Sequence, residues 1–331
     1  MSVKTRCKIS VSVSILLALI IPLSACNKPE KAAAAGNAQT TFVSPEEAGK
    51  ALIDAAKSGD QNAVLAIFGP DSKDVIYTGG ATQDKEIVQA FISSYQVMNR
   101  WRKLDDNTEV LLTGVDNFAF PIPLKKNNVG RWYFDTAAGK DEILARRIGR
   151  NELAVIQICG ALADAQKEYF SQRHDGAHKK QYALRFISDD GKQNGLYWES
   201  KEGASRSPLG PLVAFATSEG YDVQRNSHEP FHGYYFRMLH KQGAHAQGGA
   251  KDYVVDGKMV NGFAFVAYPA EYGKSGIMTF IINQNGMTYQ KDLGKSTVEA
   301  ASVMNEFDPD DTWSSVNEES RINPFVFDSW C

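Results

Sequence analysis

"GFAFVAYPAEYGKSGIMTFIINQNGMTYQKDLG", residues 262–294, is the part of the chain whose pattern indicates its fold most directly. It contains three runs rich in aromatic and β-branched residues, which are the residue types that favour strands. Asn285-Gly286 separates the last two runs, and this dipeptide favours a tight hairpin because both positions tolerate a positive φ. The stretch therefore predicts neighbouring antiparallel strands.

The second half of the chain continues this pattern around one helix. Asn151–Gln172 has apolar residues at helical spacing. Asp190-Gly191 and Asp256-Gly257 are further turn signals. The other strand-like runs are "KQYALRFIS", "GLYWES", "GYYFRMLH" and "DYVVDG". We expect a long helix packed on an antiparallel sheet.

The first half of the chain has helices followed by strands. Ser44 is a helix N-cap residue followed by Pro45 at the first helical position, and Gly59 ends that helix. A second helix runs to Phe68 and a third, amphipathic helix covers Asp84–Leu104. An antiparallel meander follows, formed by "TEVLLTGV", "FAFPIPLKK" and "RWYFDTA", with a turn at Asn127-Asn128.

These patterns predict an α+β fold. The organisation that we expect along the chain is a signal peptide at 1–25, a flexible tether at 26–41, an N-terminal α+β domain at 42–136, a charged junction at 137–150, and a domain of helix plus antiparallel sheet at 151–331.

The N-terminus has the order of a secretory signal. A basic segment with Lys4, Arg6 and Lys8 precedes the apolar run Val11–Leu23, which is too short to cross a bilayer. The following "LSAC" resembles the lipobox of bacterial lipoproteins, and the resemblance implies that Cys26 carries acyl chains such as palmitate. The alternatives are an ordinary cleaved signal or an uncleaved anchor.

The lipoprotein resemblance also implies a location. Asn27 follows the lipidated cysteine, where retention at the inner membrane would favour Asp. We therefore expect a protein of the Gram-negative outer membrane that faces the periplasm. Its lipid anchor would attach it to the membrane. The net charge of −3 and the lack of a basic, aromatic-rich cluster argue against a nucleic-acid partner.

Two cysteines remain after the signal and the lipidation site. Cys159 and Cys331 form an even pair in an oxidising compartment, which suggests a disulfide that ties the last residue to the body. The alternative is a buried Cys159 and an unpaired Cys331, because sequence does not give the distance between them.

Four of the six histidines lie between Asn226 and Gly249. As one strand, "HGYYFRMLH" would place His232 and His240 on the same side but roughly 26 Å apart, too far to share an ion. Zinc-ligand spacings are absent, so we predict no metal and no cofactor. The interpretation that we favour is polar strand ends and loop, and the alternative is a polar metal or acid/base site built from His228, Glu229, His232 and Arg237.

Two other segments imitate ligand-binding loops without matching them. "LGKST", Leu293–Thr297, has Tyr289 where a phosphate-binding loop needs its first glycine. "DPDDTWSSVNEES", Asp308–Ser320, has Trp313 where a calcium loop needs glycine. We interpret them as a helix-capping turn and a solvated acidic turn.

Two family resemblances can be given. The helix "NELAVIQICGALADAQKEYF" and the runs "GYYFRM", "FAFVAYP" and "NQNGMTYQKDLG" resemble the globular head of type IV pilins and pseudopilins, but the chain has neither their stalk helix nor their peptidase site. "FVSPEEAGKALIDAAKSGD", "EPFHGYYFRMLHKQG" and "FDPDDTW" resemble a bacterial envelope family known as domain of unknown function twenty-nine fifty. That resemblance implies no activity.

The function that we expect is binding or assembly in the cell envelope, with an envelope protein as partner, rather than catalysis. The aromatic residues Tyr197, Trp198, Tyr234 and Tyr235 would supply contacts to that partner, although packing in the core is the commoner use of such residues. Two alternatives stay open: a hydrolytic or metal-dependent enzyme that acts on envelope material, and a carrier of a small ligand.

Overall fold

The structure is a computed structural model that describes residues 39–200, 206–221 and 229–316. The signal, Cys26, most of the tether, His228 and Cys331 lie outside the described residues. Gln39 already belongs to the fold, because its side-chain amide donates to the carbonyl oxygens of Ile67 and Phe134 at 2.9 and 2.7 Å. The described residues belong to one compact unit that contains two hydrophobic cores.

Helices form the first part of the N-terminal region. α1 (Pro45–Ser58) begins as predicted, with the Ser44 hydroxyl accepting from the Glu47 amide, and it ends at Gly59 in the left-handed conformation. α2 (Gln61–Phe68) is capped by Asp60, and the short α3 (Lys73–Ile76) follows. The predicted ends of the first two helices, at Gly59 and Phe68, are confirmed, whereas α3 was not predicted.

The third predicted helix ends earlier than the spacing indicated. α4 covers Ala81–Val97, and β1 (Asn99–Asp105) follows almost directly. The prediction of helix through Leu104 was wrong because this segment pairs with β2 (Thr108–Thr113), where Trp101 lies opposite Leu111. Trp101 also packs against the N-terminal core, so tertiary contacts overcome the local preference for helix.

The remaining N-terminal strands are shorter than predicted. β3 (Phe118–Ala119) and β4 (Leu124–Lys126) divide the run that sequence treated as one strand, because Pro121 and Pro123 cannot donate to a sheet. β5 (Trp132–Phe134) buries Trp132 and Phe134 on one face, as expected. The antiparallel sheet has the order β1-β2-β4-β5, with β3 paired to β2.

One helix links this region to the rest of the chain. α5 extends over Thr136–Ser171, and residues 137–150 form its first turns. Asp135 caps it by accepting from the Ala138 amide. In the first third of α5, the Arg147 guanidinium donates to the carbonyl oxygen of Val75 at 2.6 Å, which connects α5 to α3.

The C-terminal region is an antiparallel sheet covered by α5. The strands that carry it are β6 (Tyr234–Leu239), β11 (Ala264–Pro269), β12 (Met278–Asn283), β13 (Thr288–Asp292) and β15 (Ser314–Ser315), in the order β15-β13-β12-β11-β6. α5 packs against β11, β12 and β13. The predicted hairpins at Asp256-Gly257 and Asn285-Gly286 are confirmed. The combination of helices and antiparallel sheets also confirms the predicted α+β fold class.

Short elements complete this region. The helices are α6 (Gly210–Glu219) and α7 (Thr297–Val303), and the strands are β7 (Lys241–Gln242), β8 (Lys251–Asp252), β9 (Val254–Val255), β10 (Lys258–Met259) and β14 (Glu306–Phe307).

Two strand predictions in the C-terminal region were wrong. Residues 180–188 and 195–200 form only isolated bridges, Tyr182 with Met259 and Ile187 with Tyr197. Their apolar side chains, among them Ala183 and Leu196, are buried against the core without a sheet ladder. None of the described helices is both long and apolar enough to cross a membrane.

Candidate functional site

The clearest candidate site is a group of polar side chains where α4, the end of α6 and the turn before β6 meet. It contains Glu86, Glu219, Tyr221 and His232, and we call it the His232 cluster. Tyr221 and His232 are 7% and 8% exposed, and the two carboxylates are partly buried. Ionisable groups are seldom buried together without a structural or functional reason.

Backbone geometry places His232 in the cluster. His232 has a φ of 47° and Gly233 a φ of 74°, so both are left-handed and the chain turns just before β6. A Cβ atom on Gly233 would lie 2.7 Å from the Asn151 side-chain nitrogen and 2.9 Å from the Ser275 Cβ. The glycine therefore permits a close approach to α5, and this approach fixes the position of His232.

His232 meets the carboxylate at the end of α6. Its Nε2 lies 3.3 Å from Glu219 Oε2, and the two side chains are 10% and 21% exposed. Gly220 ends α6 in the left-handed conformation, and its carbonyl accepts a hydrogen bond from the Thr82 hydroxyl of α4 at 3.2 Å. This contact holds the end of α6 beside α4, where Glu86 lies.

Three oxygens of the cluster are buried without a hydrogen bond from any described residue. They are Glu86 Oε1, Glu219 Oε2 and the Tyr221 hydroxyl. Glu219 Oε2 has its contact with His232 but no hydrogen bond in acceptable geometry. Since buried polar atoms are nearly always satisfied, each of these oxygens requires a reason.

The same surroundings change the acidity of the cluster. Burial, followed by the charge of Glu219, raises the pKa of Glu86 to about 7, although His232 and Arg150 oppose this shift. Burial, followed by the charge of Glu86, raises the pKa of the Tyr221 hydroxyl, which therefore stays protonated at neutral pH. Glu86 is thus a carboxyl group that changes its charge near neutral pH.

Aromatic rings surround His232. The His232 ring lies 4.5 Å from the Phe231 ring and 5.7 Å from the Tyr221 ring. Phe215, on α6, stacks on His232 at 6.5 Å between ring centroids and is 44% exposed. The cluster therefore combines acidic oxygens with aromatic faces, and one ring reaches the surface.

The structure brings only part of the predicted polar site together. His232 is in the cluster, Glu229 is exposed close to it in the chain, and His228 lies outside the described residues. Arg237 is directed elsewhere: its guanidinium donates to the carbonyl oxygens of Ala301 and Met304 at 2.9 and 3.1 Å, which closes the end of α7.

The strand-like run around residues 233–240 is confirmed as β6, and His232 and His240 lie just beyond its two ends. Sequence reasoning missed the acidic members of the cluster, Glu86 and Glu219, as well as Tyr221. They are far from His232 in the chain or belong to α6, a helix that was not predicted, and no spacing pattern in the sequence connects them.

The other histidine and acidic segments meet in a separate surface contact. The His245 amide donates to Asp308 Oδ1 at 2.8 Å, and the ring Nδ1 lies 2.9 Å from Asp308 Oδ2. Asp310 accepts from the amide and hydroxyl of Thr312. Within the described ranges, no group of three or more His, Cys, Asp or Glu side chains could hold a metal ion.

The predicted disulfide and the predicted lipidation site both involve cysteines that the structure does not describe. Cys159 is fully buried in the C-terminal core, and the described part of the chain contains no disulfide. Cys26 and Cys331 lie outside the described residues, so the Cys159–Cys331 disulfide and the lipidation of Cys26 stay predictions.

Comparison with known proteins gave one match. A family model described as "Protein of unknown function (DUF2950)" matches residues 39–316. Neither the curated proteins nor the solved structures contain a match to the chain. The resemblance to a pilin head therefore stays a prediction.

Proposed function

This chain belongs to the DUF2950 family of proteins of unknown function, so we propose its role from its own geometry. We propose that it is a lipid-anchored envelope protein that binds a basic side chain of a partner protein. The observation that carries the proposal is the set of three buried oxygens in the His232 cluster that lack a hydrogen bond in good geometry from any described residue. The lipid anchor at Cys26 would hold this binding site at the membrane surface.

The chemistry of the cluster matches a primary ammonium group. Glu86 and Glu219 supply carboxylate oxygens, and the Tyr221 hydroxyl can accept as well as donate. An ammonium group has three N–H donors and no acceptor, so its hydrogen-bonding groups complement a set of acceptor oxygens. It would also offset the mutual repulsion of the two carboxylates, which contributes to the raised pKa of Glu86.

The aromatic surroundings favour the same class of partner. Cations bind over aromatic faces, and the contribution grows to about 2 kcal/mol when the site excludes water. Phe215 is the exposed ring at the edge of the cluster and stacks on His232. A lysine side chain could pass its apolar stem along Phe215 and place its ammonium group near Glu219, whose side chain is 21% exposed.

A second candidate rests on a different observation. A carboxyl group with a pKa of about 7 can act as either acid or base at neutral pH, and Glu86 has this property. An enzyme acting on envelope material would use Glu86 in that role, with His232 and Glu219 beside it. Turnover of an envelope substrate that is lost in Glu86→Gln would favour this candidate over simple binding.

The test is an NMR titration of the protein lacking the lipid anchor with two capped tripeptides, Ac-Gly-Lys-Gly-NH2 and Ac-Gly-Gln-Gly-NH2, at pH 8. We expect saturable shifts around residues 215–221 and 231–233 with the lysine peptide alone. Glu219→Gln should weaken this binding about tenfold, since a hydrogen bond to a charged group is lost. Glu299→Gln, which neutralises an exposed glutamate on α7, is the matched control.

Equal shifts with both peptides, or equal affinity in Glu219→Gln and Glu299→Gln, would overturn the assignment of the cluster as a cation site. The lipid anchor needs its own experiment, because the truncated protein does not contain it. Mass spectrometry of the full-length protein should find acyl chains on Cys26, and none on Cys26→Ser.

A further inference from the structure

One edge of the N-terminal sheet is exposed along the whole of β1 (Asn99–Asp105). β1 comes first in the order β1-β2-β4-β5, and β2 is its one strand neighbour among the described residues. Every residue of β1 except Trp101 is exposed. We call this surface the β1 edge, and it shares no residue with the His232 cluster. An exposed edge strand offers amide and carbonyl groups that a strand of another chain can pair with.

The hydrogen-bond register identifies the backbone groups that face the β1 edge. The Gly114 amide donates to the Met98 carbonyl oxygen at 2.9 Å, one pair before the β1–β2 ladder begins. Hydrogen-bonded and non-hydrogen-bonded pairs alternate in an antiparallel ladder, so Arg100 and Arg102 direct their backbone groups toward β2. The alternate residues direct theirs away from β2: Asn99, Trp101 and Lys103. Outside the pairing of β1 with β2, no described residue forms a hydrogen bond to these backbone groups.

Two guanidinium groups stand beside this edge without an acidic partner. Arg100 and Arg102 are exposed and two positions apart, so their side chains leave the same face of the strand, roughly 7 Å from each other. Leu112 and Val110 lie opposite them in β2, and both are buried. Neither arginine side chain forms an ion pair or a hydrogen bond with a described residue. Both positive charges are therefore available to a partner.

The charges of β1 decide which kind of strand it can accept. In the antiparallel register that uses all seven residues of β1 twice, Arg102 would stand opposite Arg102 of a second copy, and like charges oppose that pairing. In an acidic strand, a carboxylate would stand opposite each arginine instead. These would be non-hydrogen-bonded pairs of the new ladder, in which side chains approach each other most closely.

We propose that the β1 edge binds an extended acidic segment of a partner protein. The segment adds an antiparallel strand beside β1, and acidic residues at alternate positions pair with Arg100 and Arg102. Backbone groups of the residue between those two acids form hydrogen bonds with the amide and carbonyl groups of Trp101.

The test is an NMR titration of the protein lacking the lipid anchor with three capped peptides at pH 7. Ac-Thr-Glu-Thr-Glu-Thr-NH2 has acids at alternate positions, and Ac-Thr-Gln-Thr-Gln-Thr-NH2 lacks their charge. Ac-Thr-Glu-Pro-Glu-Thr-NH2 keeps the charge but has no amide proton opposite Trp101. We expect saturable amide shifts at residues 99–103 with the first peptide, which should bind about fivefold more tightly than either of the others.

Two double variants separate β1 from the rest of the surface. Arg100→Gln/Arg102→Gln should weaken binding of the acidic peptide about fivefold, because both cross-strand ion pairs are lost. Arg173→Gln/Arg206→Gln removes the same charge from exposed positions outside β1, and it should bind the peptide as the native protein does.

The proposal is overturned if the acidic and the glutamine peptides bind equally, or if the two double variants have the same affinity. Equal affinity for the acidic and the proline peptides would overturn the added strand, because charge alone would then account for binding. Shifts at residues 99–103 that grow with protein concentration in the absence of peptide would assign the β1 edge to a second copy of the chain and overturn the acidic partner.

Discussion

Gln83 Nε2 donates a 2.6 Å hydrogen bond to Asn151 Oδ1, and both side chains are buried although 68 residues separate them in the chain. Asn151 Nδ2 in turn donates to the Ser275 carbonyl oxygen at 2.7 Å. One amide side chain thus joins α4, α5 and the connection between β11 and β12. This joint lies directly beside Gly233, and therefore beside the His232 cluster.

Removing the joint should destabilise the protein. In Asn151→Ala the amide of Gln83 and the carbonyl of Ser275 lose their partner while they remain buried, which costs about 2–3 kcal/mol of unfolding free energy. Urea unfolding of Asn151→Ala beside Asn62→Ala, an exposed asparagine on α2, measures this cost. If the two variants unfold at the same urea concentration, the Gln83–Asn151–Ser275 hydrogen bonds do not contribute to stability. The double variant Gln83→Ala/Asn151→Ala should lose less unfolding free energy than the sum of the losses in the two single variants.

Neutralising Glu86 should stabilise the protein at high pH. The folded-state pKa of about 7 exceeds the ordinary value of 4.5, so the folded state holds a proton that the unfolded state releases. Stability therefore falls as pH rises from about 4.5 to 7 and stays lower above it. Since Glu86 is only partly buried, we expect Glu86→Gln to gain about 1–2 kcal/mol at pH 8, less than the full shift implies.

Unfolding curves of Glu86→Gln and the native protein at pH 4, 6 and 8 check this prediction. The two stabilities should converge at pH 4, where the carboxyl group is protonated in both states, and separate by pH 8. A constant difference at all three values would mean that the substitution acts through packing rather than through the proton.

The charge of Glu86 should also control binding of the lysine peptide. Below pH 7 the carboxyl group is protonated and contributes no negative charge, and above pH 7 it attracts the ammonium group. Affinity for Ac-Gly-Lys-Gly-NH2 should therefore rise severalfold between pH 6 and 8 in the native protein and remain flat in Glu86→Gln. An equal rise in both proteins would show that another group titrates.

Gly233 should tolerate no side chain. Gly233→Ala would strain a φ of 74° and push Cβ to 2.7 Å from Asn151 Nδ2, so we expect a loss of at least about 3 kcal/mol. Gly257→Ala separates the two effects, because Gly257 has a φ of 71° but no atom within 4 Å of a new Cβ. Thermal unfolding should show a loss of only about 1 kcal/mol there. Equal losses at both sites would attribute the effect to the backbone alone.

The His245–Asp308 contact should appear in the titration of His245. The hydrogen bond and charge of Asp308 raise the pKa of His245 above its ordinary value of 6.5. The charged pair is thus complete below pH 6.5 and is lost as pH rises through the raised pKa. Histidine ring signals measured by NMR should give a higher pKa in the native protein than in Asp308→Asn, and equal values would exclude the contact in solution.

Local signals in the sequence predicted much of the fold. The Ser44 cap, the glycine at position 59 and the Asn285-Gly286 turn each act within a few residues, so their effects were readable without the rest of the chain. Predictions failed where distant contacts decide the outcome. Asn99–Asp105 has a helix-compatible pattern but forms a strand because β2 is available as a partner.

Most of the candidate site could not be predicted from the sequence, because contacts between residues distant in the chain form it. The polar segment around His232 was recognised from its composition, yet the residues that give it chemical character lie on α4 and α6. Arg237 was predicted to belong to the His232 site because it is near His232 in the chain. In the structure its guanidinium donates to the carbonyl oxygens of Ala301 and Met304 at the end of α7.

The sequence by itself determined the α+β class, the main helices and hairpins, and the expectation of a lipid anchor at Cys26. These depend on backbone preferences, hydrophobic period and short motifs, all of which are local. Only the tertiary structure decided that Glu86, Glu219, Tyr221 and His232 share one partly buried site. Their burial and contacts, and the raised pKa of Glu86 and of Tyr221, arise when α4, α6 and the turn before β6 pack together, and no local pattern encodes that arrangement.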